Sequence, residues 1–296
     1  MSANDHNDDV REIDDFTGVE TTGHEWDGIK ELNNPMPRWW LWSFYLTIIF
    51  SIGYAIAYPS IPMITTSSQG LLGWSSRGAV ATEMSEAKAA QSVYLDKLLT
   101  TDVSEISADA DLNQFAIAGG KAAFKVNCVQ CHGTGAAGSA GYPNLNDDDW
   151  IWGGTVDDIY VTLQHGIRHP GNDDTRISDM PAYGADEILN RDEIADVAWH
   201  IRKISNQGFD AAGAERGASV YADNCAACHG DNGEGIREVG APRLSDALWL
   251  YGGEHSEIVA QIVKPKQGVM PAWEARLGEA TTKQLATYVH SLGGGE

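Results

Sequence analysis

The polar and apolar positions divide the chain into blocks of different character. Residues 1–37 are polar, with ten carboxylates from Asp5 to Glu31 against Arg11 and Lys30. Apolar periodicity is poor there, which predicts a mobile tail. Pro35 and Pro37 keep a helix from starting early. From Trp39 to Tyr58 the 20 residues WWLWSFYLTIIFSIGYAIAY hold no charge. A helix of that length spans about 30 Å, the hydrocarbon thickness of a bilayer. Trp39, Trp40 and Trp42 crowd one end and Tyr54 and Tyr58 the other, as in an aromatic belt, and Pro59 and Pro62 stop the helix. A buried core helix is rarely apolar all round for so long. A cleaved signal peptide is the stronger rival, because Ala55-Ile56-Ala57 resembles a cleavage site; the long apolar run and its acidic 38-residue leader favour an uncleaved anchor. An irregular loop over 60–77 and a helix over 78–99 follow. Val80, Met84, Ala87, Val93 and Leu98 form only a loose stripe on that helix, so docking and tethering both remain open. TTDVSEISADAD (100–111) reads as a linker.

Beyond residue 110 the pattern repeats. Gly120, Phe124 and Cys128 match Gly217, Tyr221 and Cys225, each set spaced by four on one helix face. The glycines predict close approach of a second helix. Pro143-Asn144-Leu145 matches Pro242-Arg243-Leu244, and the aromatic-rich runs ending at Gly154 and Gly253 correspond. Met180-Pro181-Ala182-Tyr183 matches Met270-Pro271-Ala272-Trp273. Amphipathic helices over 194–204 and 284–292 close the two units, with Trp199 and Tyr288 in matching places. NQGFDAAG (206–213) joins them, short enough to pack two domains side by side.

All four cysteines fall in Cys128-Val-Gln-Cys131-His132 and Cys225-Ala-Ala-Cys228-His229. This is the C-x-x-C-H pattern of c-type haem attachment. A structural zinc site needs four ligands and has no use for a histidine fixed after the second cysteine; nor does a thioredoxin-like redox pair. The reading is two covalently attached haem c groups, held by Cys128, Cys131, Cys225 and Cys228. Attachment takes place outside the cytoplasm, which makes the amino terminus cytoplasmic and everything after residue 59 periplasmic.

His132 and His229 are placed to ligate iron on one face. An open opposite face would allow chemistry on small ligands, whereas a thioether there leaves electron transfer. Met180 and Met270 are the candidates, each the one methionine of its unit; a core methionine is the alternative role. Read along the sequence, Met180 completes the site of His132 and Met270 that of His229. His165, His169, His200, His255 and His290 read as surface or core-edge residues. Trp150 and Trp249 are candidate donors to a haem propionate, with packing as the alternative, and Arg243 is a candidate propionate partner. The insertion HPGNDDTRIS (169–178) in the first unit has no counterpart in the second; it shields a haem edge or contacts a partner.

Charge adds a constraint on partners. With 42 acidic and 20 basic residues the net charge is −22, a surface that repels nucleic acid and suits a basic protein partner.

Both units resemble class I cytochrome c domains, over residues 110–205 and 210–293. The whole chain resembles subunit III, the P subunit, of cbb3-type cytochrome c oxidases. Its marks are Asn34-Pro35-Met36-Pro37-Arg38-Trp39-Trp40 leading into one membrane helix, then two CxxCH units with Ile167-Arg168 and Met-Pro. The resemblance implies a mainly α chain: a cytoplasmic polar tail (1–37), a transmembrane helix (38–62), a periplasmic helix and linker (63–109) and two tandem cytochrome c domains. It implies a single-pass protein of the bacterial inner membrane. Its partners are a mono-haem subunit and a catalytic subunit, with a donor cytochrome c or the bc1 complex upstream. It implies no catalytic oxygen site in this chain. A free-standing di-haem shuttle of the cytochrome c4 kind and a di-haem peroxidase are the rival readings. The Asn-Pro-Met-Pro-Arg-Trp-Trp segment counts against the first and the two Met-Pro marks against the second.

Overall fold

The computed structural model describes residues 12–296. They form two compact units that divide between Lys88 and Ala89.

In the first unit, part of the expected polar tail is ordered. Strands β1 (Thr21–Trp26) and β2 (Ile29–Leu32) pair antiparallel, with Glu25 opposite Lys30 and Trp26 opposite Ile29. The two residues between them, Asp27 (φ +48) and Gly28 (φ +85), have the left-handed geometry that a two-residue hairpin turn requires. The Trp26 indole donates to Glu31 at 3.2 Å, and Lys30 pairs with Glu12. The reading of a mobile tail is therefore corrected over residues 12–34; its part over 1–11 lies outside the described residues.

Helix α1 (Arg38–Ala57) is shorter than the 38–62 span expected, because Pro59 ends it. No residue of it is buried, and its serine and threonine side chains bond locally. The hydroxyls of Ser43, Thr47 and Ser51 donate to Trp39, Phe44 and Thr47 carbonyls at 2.7–2.9 Å, which removes the penalty they would carry in lipid. Leu71 and Leu72 donate their N–H groups to Ile56 and Ala57 at the helix end.

Helix α2 (Ser76–Thr100) is exposed along most of its length; its part from Ala89 onward belongs to the second unit, where Leu98 is buried. Lys283, itself buried, donates Nζ–H bonds to the Leu98 and Thr101 carbonyls at 3.0 Å, capping that end. The expected linker is a 3-10 turn, Val103–Ala108, whose Val103 and Ile106 belong to the core.

The second unit is built from α3 (Ala110–Asn127), α4 (Val129–His132), α5 (Val156–His165), α6 (Arg191–Ile204), α7 (Ala211–Asn224), α8 (Ala226–His229), α9 (His255–Val263), α10 (Glu274–Leu277) and α11 (Glu279–His290). Asp109 caps α3, and an Asn190–Glu193 capping box starts α6.

The packing of these helices does not follow the sequence repeats. Helix α3 lies against α11, and α7 against α6. A Cβ on Gly120 would collide with the backbone of Gln284, and one on Gly217 with the backbone of Asp196 and Val197. One core joins Phe124, Cys128, Ile159 and Leu163 to Leu285, Ala286 and Val289; the other joins Tyr221, Cys225, Ile258 and Ile262 to Ile194, Val197 and Ile201. The packing thus crosses between the repeats 110–205 and 210–293: each opening half packs with the closing half of the other. The physical cause is the short connection 205–210 between α6 and α7. It folds α6 back directly onto α7, as short helix–helix links do, and leaves the groove of α3 to α11. Arg202 secures that connection, donating from Nε to Gly208 O at 2.7 Å.

Candidate haem sites

The opening helix of each repeat ends just before its first cysteine. Cys128 and Cys225 cap α3 and α7 with nearly identical backbone angles (φ −111 and −114), and the short helices α4 and α8 then carry the second cysteine and the histidine. Cysteines three apart on a helical turn share one face, which suits attachment of one planar group. Cys128 and Cys225 are buried while Cys131 and Cys228 are exposed. Burial, with the neighbouring thiol second, pushes Cys128 and Cys225 each up to about 11.

The histidines are oriented by a feature that the sequence marked without explaining. His132 Nδ1 lies 3.1 Å from Pro143 O, and His229 Nδ1 lies 2.9 Å from Pro242 O. A carbonyl only accepts, so each Nδ1 carries the proton and each Nε2 lone pair is left free. Burial holds both imidazoles below the ordinary histidine range, against a smaller upward effect of the same bonds. A neutral ring with its tautomer fixed by a carbonyl is the form that ligates metal. The repeated Pro-x-Leu is therefore a histidine-orienting element.

A cavity of about 520 Å³ opens beside the first motif, lined among others by Cys128, Cys131, His132, Leu163 and Met270. Met270 packs on the core cluster that contains Phe124 and Cys128, and Met180 on the one that contains Tyr221 and Cys225. Met270 rather than Met180 therefore lies beside the first motif, and Met180 beside the core of the second. Backbone bonds fix the exchange. Ile167 and Met270 bond reciprocally at 2.9 and 3.0 Å, and Trp273 N donates to Leu163 O at 2.8 Å. In the other site, Ala185 N donates to Val263 O at 2.9 Å and the Tyr183 hydroxyl to Asn224 O at 2.7 Å. Gly166 (φ +73) has no room for a Cβ, because the Met270–Ala272 backbone passes against it.

The insertion 169–178 lies where the chain crosses from one core to the other. Arg176 anchors it, with a guanidinium over the Trp152 ring (5.5 Å) and a bond to the Trp152 carbonyl. No histidine other than His132 lines the cavity. His200 Nδ1 bonds to Ala214 O at 3.3 Å, His255 stacks on Trp199 at 3.7 Å, and His290 bonds to Glu296 O at 2.9 Å. These three serve packing.

The two equivalent tryptophans differ. Trp150 donates its indole N–H to Asp147 O at 3.0 Å and to Gly294 O in the carboxy-terminal tail. Trp249 also lines the cavity, and its Nε1 is the one buried side-chain nitrogen or oxygen without a partner among the described residues. Buried N–H groups are rarely left unmatched, so this orphan fits a ligand that brings an acceptor. Burial and the Asp246 and Asp147 carboxylates push nearby Asp149 above the carboxylate range, with Arg243 acting the other way. An apolar cavity bounded by a cysteine pair, a tautomer-fixed imidazole, a thioether and one free donor suits a haem with its carboxylates.

The chain is similar to known proteins along most of its length. Residues 18–65 match the N-terminal domain of cytochrome oxidase-cbb3, FixP. Residues 117–205 match cytochrome c, and residues 212–289 match cytochrome c oxidase, cbb3-type, subunit III. Among curated relatives, cbb3-type cytochrome c oxidase subunit FixPc of Rhizobium leguminosarum bv. viciae is 54% identical over 96% of this chain and 99% of its own length. Subunit FixP of Rhizobium meliloti is 53% identical over 97% of this chain and 98% of its own. Subunit CcoP of Cereibacter sphaeroides is 51% identical over 93% and 95%.

Proposed function

The chain belongs to the cbb3-type cytochrome c oxidase subunit III family, and from that premise we propose that it holds two covalently attached haem c groups with exchanged methionine ligands. It is a membrane-anchored cytochrome c subunit of a cbb3-type oxidase and acts in electron transport. Cys128 and Cys131 hold one group with His132 and Met270 on its iron. Cys225 and Cys228 hold the other, with His229 and Met180. Haem iron ligated by histidine and methionine exchanges single electrons at comparatively high potential and has no position open for substrate.

The chain's own residues tune that behaviour. Pro143 and Pro242 carbonyls fix the imidazoles, Trp249 offers its N–H to a haem carboxylate, and the apolar clusters keep water from the methionine face. Thioether formation outside the cytoplasm makes both haem sites periplasmic and the amino terminus cytoplasmic. Electrons arrive from a basic donor such as a soluble cytochrome c or from the bc1 complex. They leave toward the mono-haem subunit and the subunit that reduces oxygen. The single observation that carries this reading is the duplicated Cys-x-x-Cys-His with each Nε2 left free by a bond to a proline carbonyl.

Purification in mild detergent tests it. The chain should stain for haem after denaturation, contain two haem c per polypeptide, and bring with it copper and b-type haem. Recovery of the chain without copper or b-type haem contradicts the assembly.

A further inference from the structure

Arg168 follows Gly166-Ile167 at the end of α5 and has the left-handed backbone (φ +51) that side chains seldom adopt. Such a conformation persists only where the surroundings enforce it. Its surroundings are the two methionine segments. The guanidinium donates from Nε to Gly268 O at 2.8 Å and from Nη1 to Ser178 O at 2.9 Å. Gly268 stands two residues before Met270, and Ser178 two residues before Met180. The carbonyl acceptors are thus equivalent positions of the two repeats, met by one side chain. A planar fork of fixed donors reaches two acceptors at once in a way an ammonium does not.

The backbone around Arg168 is tied to the same elements. Its N–H donates to Arg176 O at 2.8 Å, and Ile167 before it pairs with Met270 in both directions. A second, smaller link crosses between the segments: Gln267 Nε2 donates to Met180 O at 3.2 Å. Exchange of the methionines has brought the two segments side by side, and Arg168 lies at their junction.

We propose that Arg168 is a positioning residue that holds both methionine ligands at once, so that the two haem sites open or stay closed together. The proposal rests on the ligand assignment given above. It bears on a chain that works beside an oxygen-reducing partner, where an iron that lost its thioether would bind small gaseous ligands.

Carbon monoxide is the probe, added to the reduced, detergent-solubilised complex. The c-type contribution is separated from that of b-type haem by its band positions. Wild type should show the weak far-red band of methionine-ligated ferric haem and no carbon monoxide binding at its c haems. Binding there in wild type would overturn the ligand assignment rather than the role of Arg168. Met270→Leu and Met180→Leu should each open one c haem and serve as spectral references. Arg168→Leu should open both, its spectrum the sum of the two references, with the far-red band weakened at both sites and haem staining retained. Gln267→Leu should affect the Met180 site alone. Opening confined to one haem in Arg168→Leu, as expected if the guanidinium served only the cavity it lines, overturns the proposal. So does intact haem staining with neither site open. Should Arg168→Leu fail to assemble, Arg168→Lys decides: partial opening at both haems supports the coupling, and opening at one or none refutes it.

Discussion

Adjacent glycines on α3 test the exchanged helix pair. In a free helix either Gly→Ala change gains about 1 kcal/mol from propensity. A Cβ on Gly119 meets only the amide end of the Gln284 side chain, whereas one on Gly120 meets the Gln284 backbone carbonyl and Tyr288 Cβ. The amide can turn away at about 0.5–1.5 kcal/mol, so Gly119→Ala should stay within about 1 kcal/mol of wild type. A backbone cannot turn away. Gly120→Ala must push α11 outward, and overpacking of about 1–3 kcal/mol outweighs the propensity gain. The assay is thermal unfolding of the solubilised chain, followed by helical circular dichroism. Each kcal/mol corresponds to about 2–4 °C for a unit of this size, so Gly120→Ala should lower the midpoint by several degrees and Gly119→Ala should barely move it. Gly217→Ala, aimed at the Asp196 backbone, should behave like Gly120→Ala. Equal effects at 119 and 120, or a stabilised Gly120→Ala, would refute the pairing of α3 with α11.

Removing residues 294–296 deletes the Gly294 carbonyl that accepts from Trp150 and the Glu296 carboxylate that pairs with Arg237. The loss should be about 1–3 kcal/mol, read as a lower unfolding midpoint, and an unchanged midpoint would contradict the anchoring role of the tail. Trp249→Phe removes the one unmatched buried donor among the described residues. A haem carboxylate that loses this donor exerts more of its negative charge on the iron, so a redox titration should show one midpoint potential falling; two unmoved potentials would reject the assignment. The net charge of −22 predicts that reduction by a basic donor slows as salt rises, since the Debye length shrinks from about 10 Å at 0.1 M to 3 Å at 1 M. A rate independent of salt would rule out electrostatic steering.

The membrane helix, the haem motifs and the closing helices were legible because each depends on local pattern: an uncharged run, a fixed cysteine spacing, a 3.6-residue stripe. The hairpin before α1 was missed. Its strands are short, Gly23 interrupts one, and only Asp27-Gly28 signalled the turn. The segment 100–111 looked like a linker because its core contacts, Val103 and Ile106, are few and its capping partner, Lys283, is distant in sequence. The exchange of methionines was harder to see for a physical reason. Both closing helices present the same amphipathic face and both opening helices the same glycine groove, so either pairing satisfies the pattern. What decides is the short connection 205–210, which leaves α6 no route back to α3. The insertion 169–178 was noticed, but its use as the crossing segment depends on that geometry.

The exchange is also the central claim, and one measurement addresses it directly. In a chain that keeps only the first attachment motif (Cys225→Ala with Cys228→Ala), carbon monoxide binding to the remaining ferrous haem reports its methionine ligand. Met270→Leu should open that haem and abolish its far-red band, while Met180→Leu should leave it closed. Opening by Met180→Leu, with Met270→Leu silent, would contradict the account.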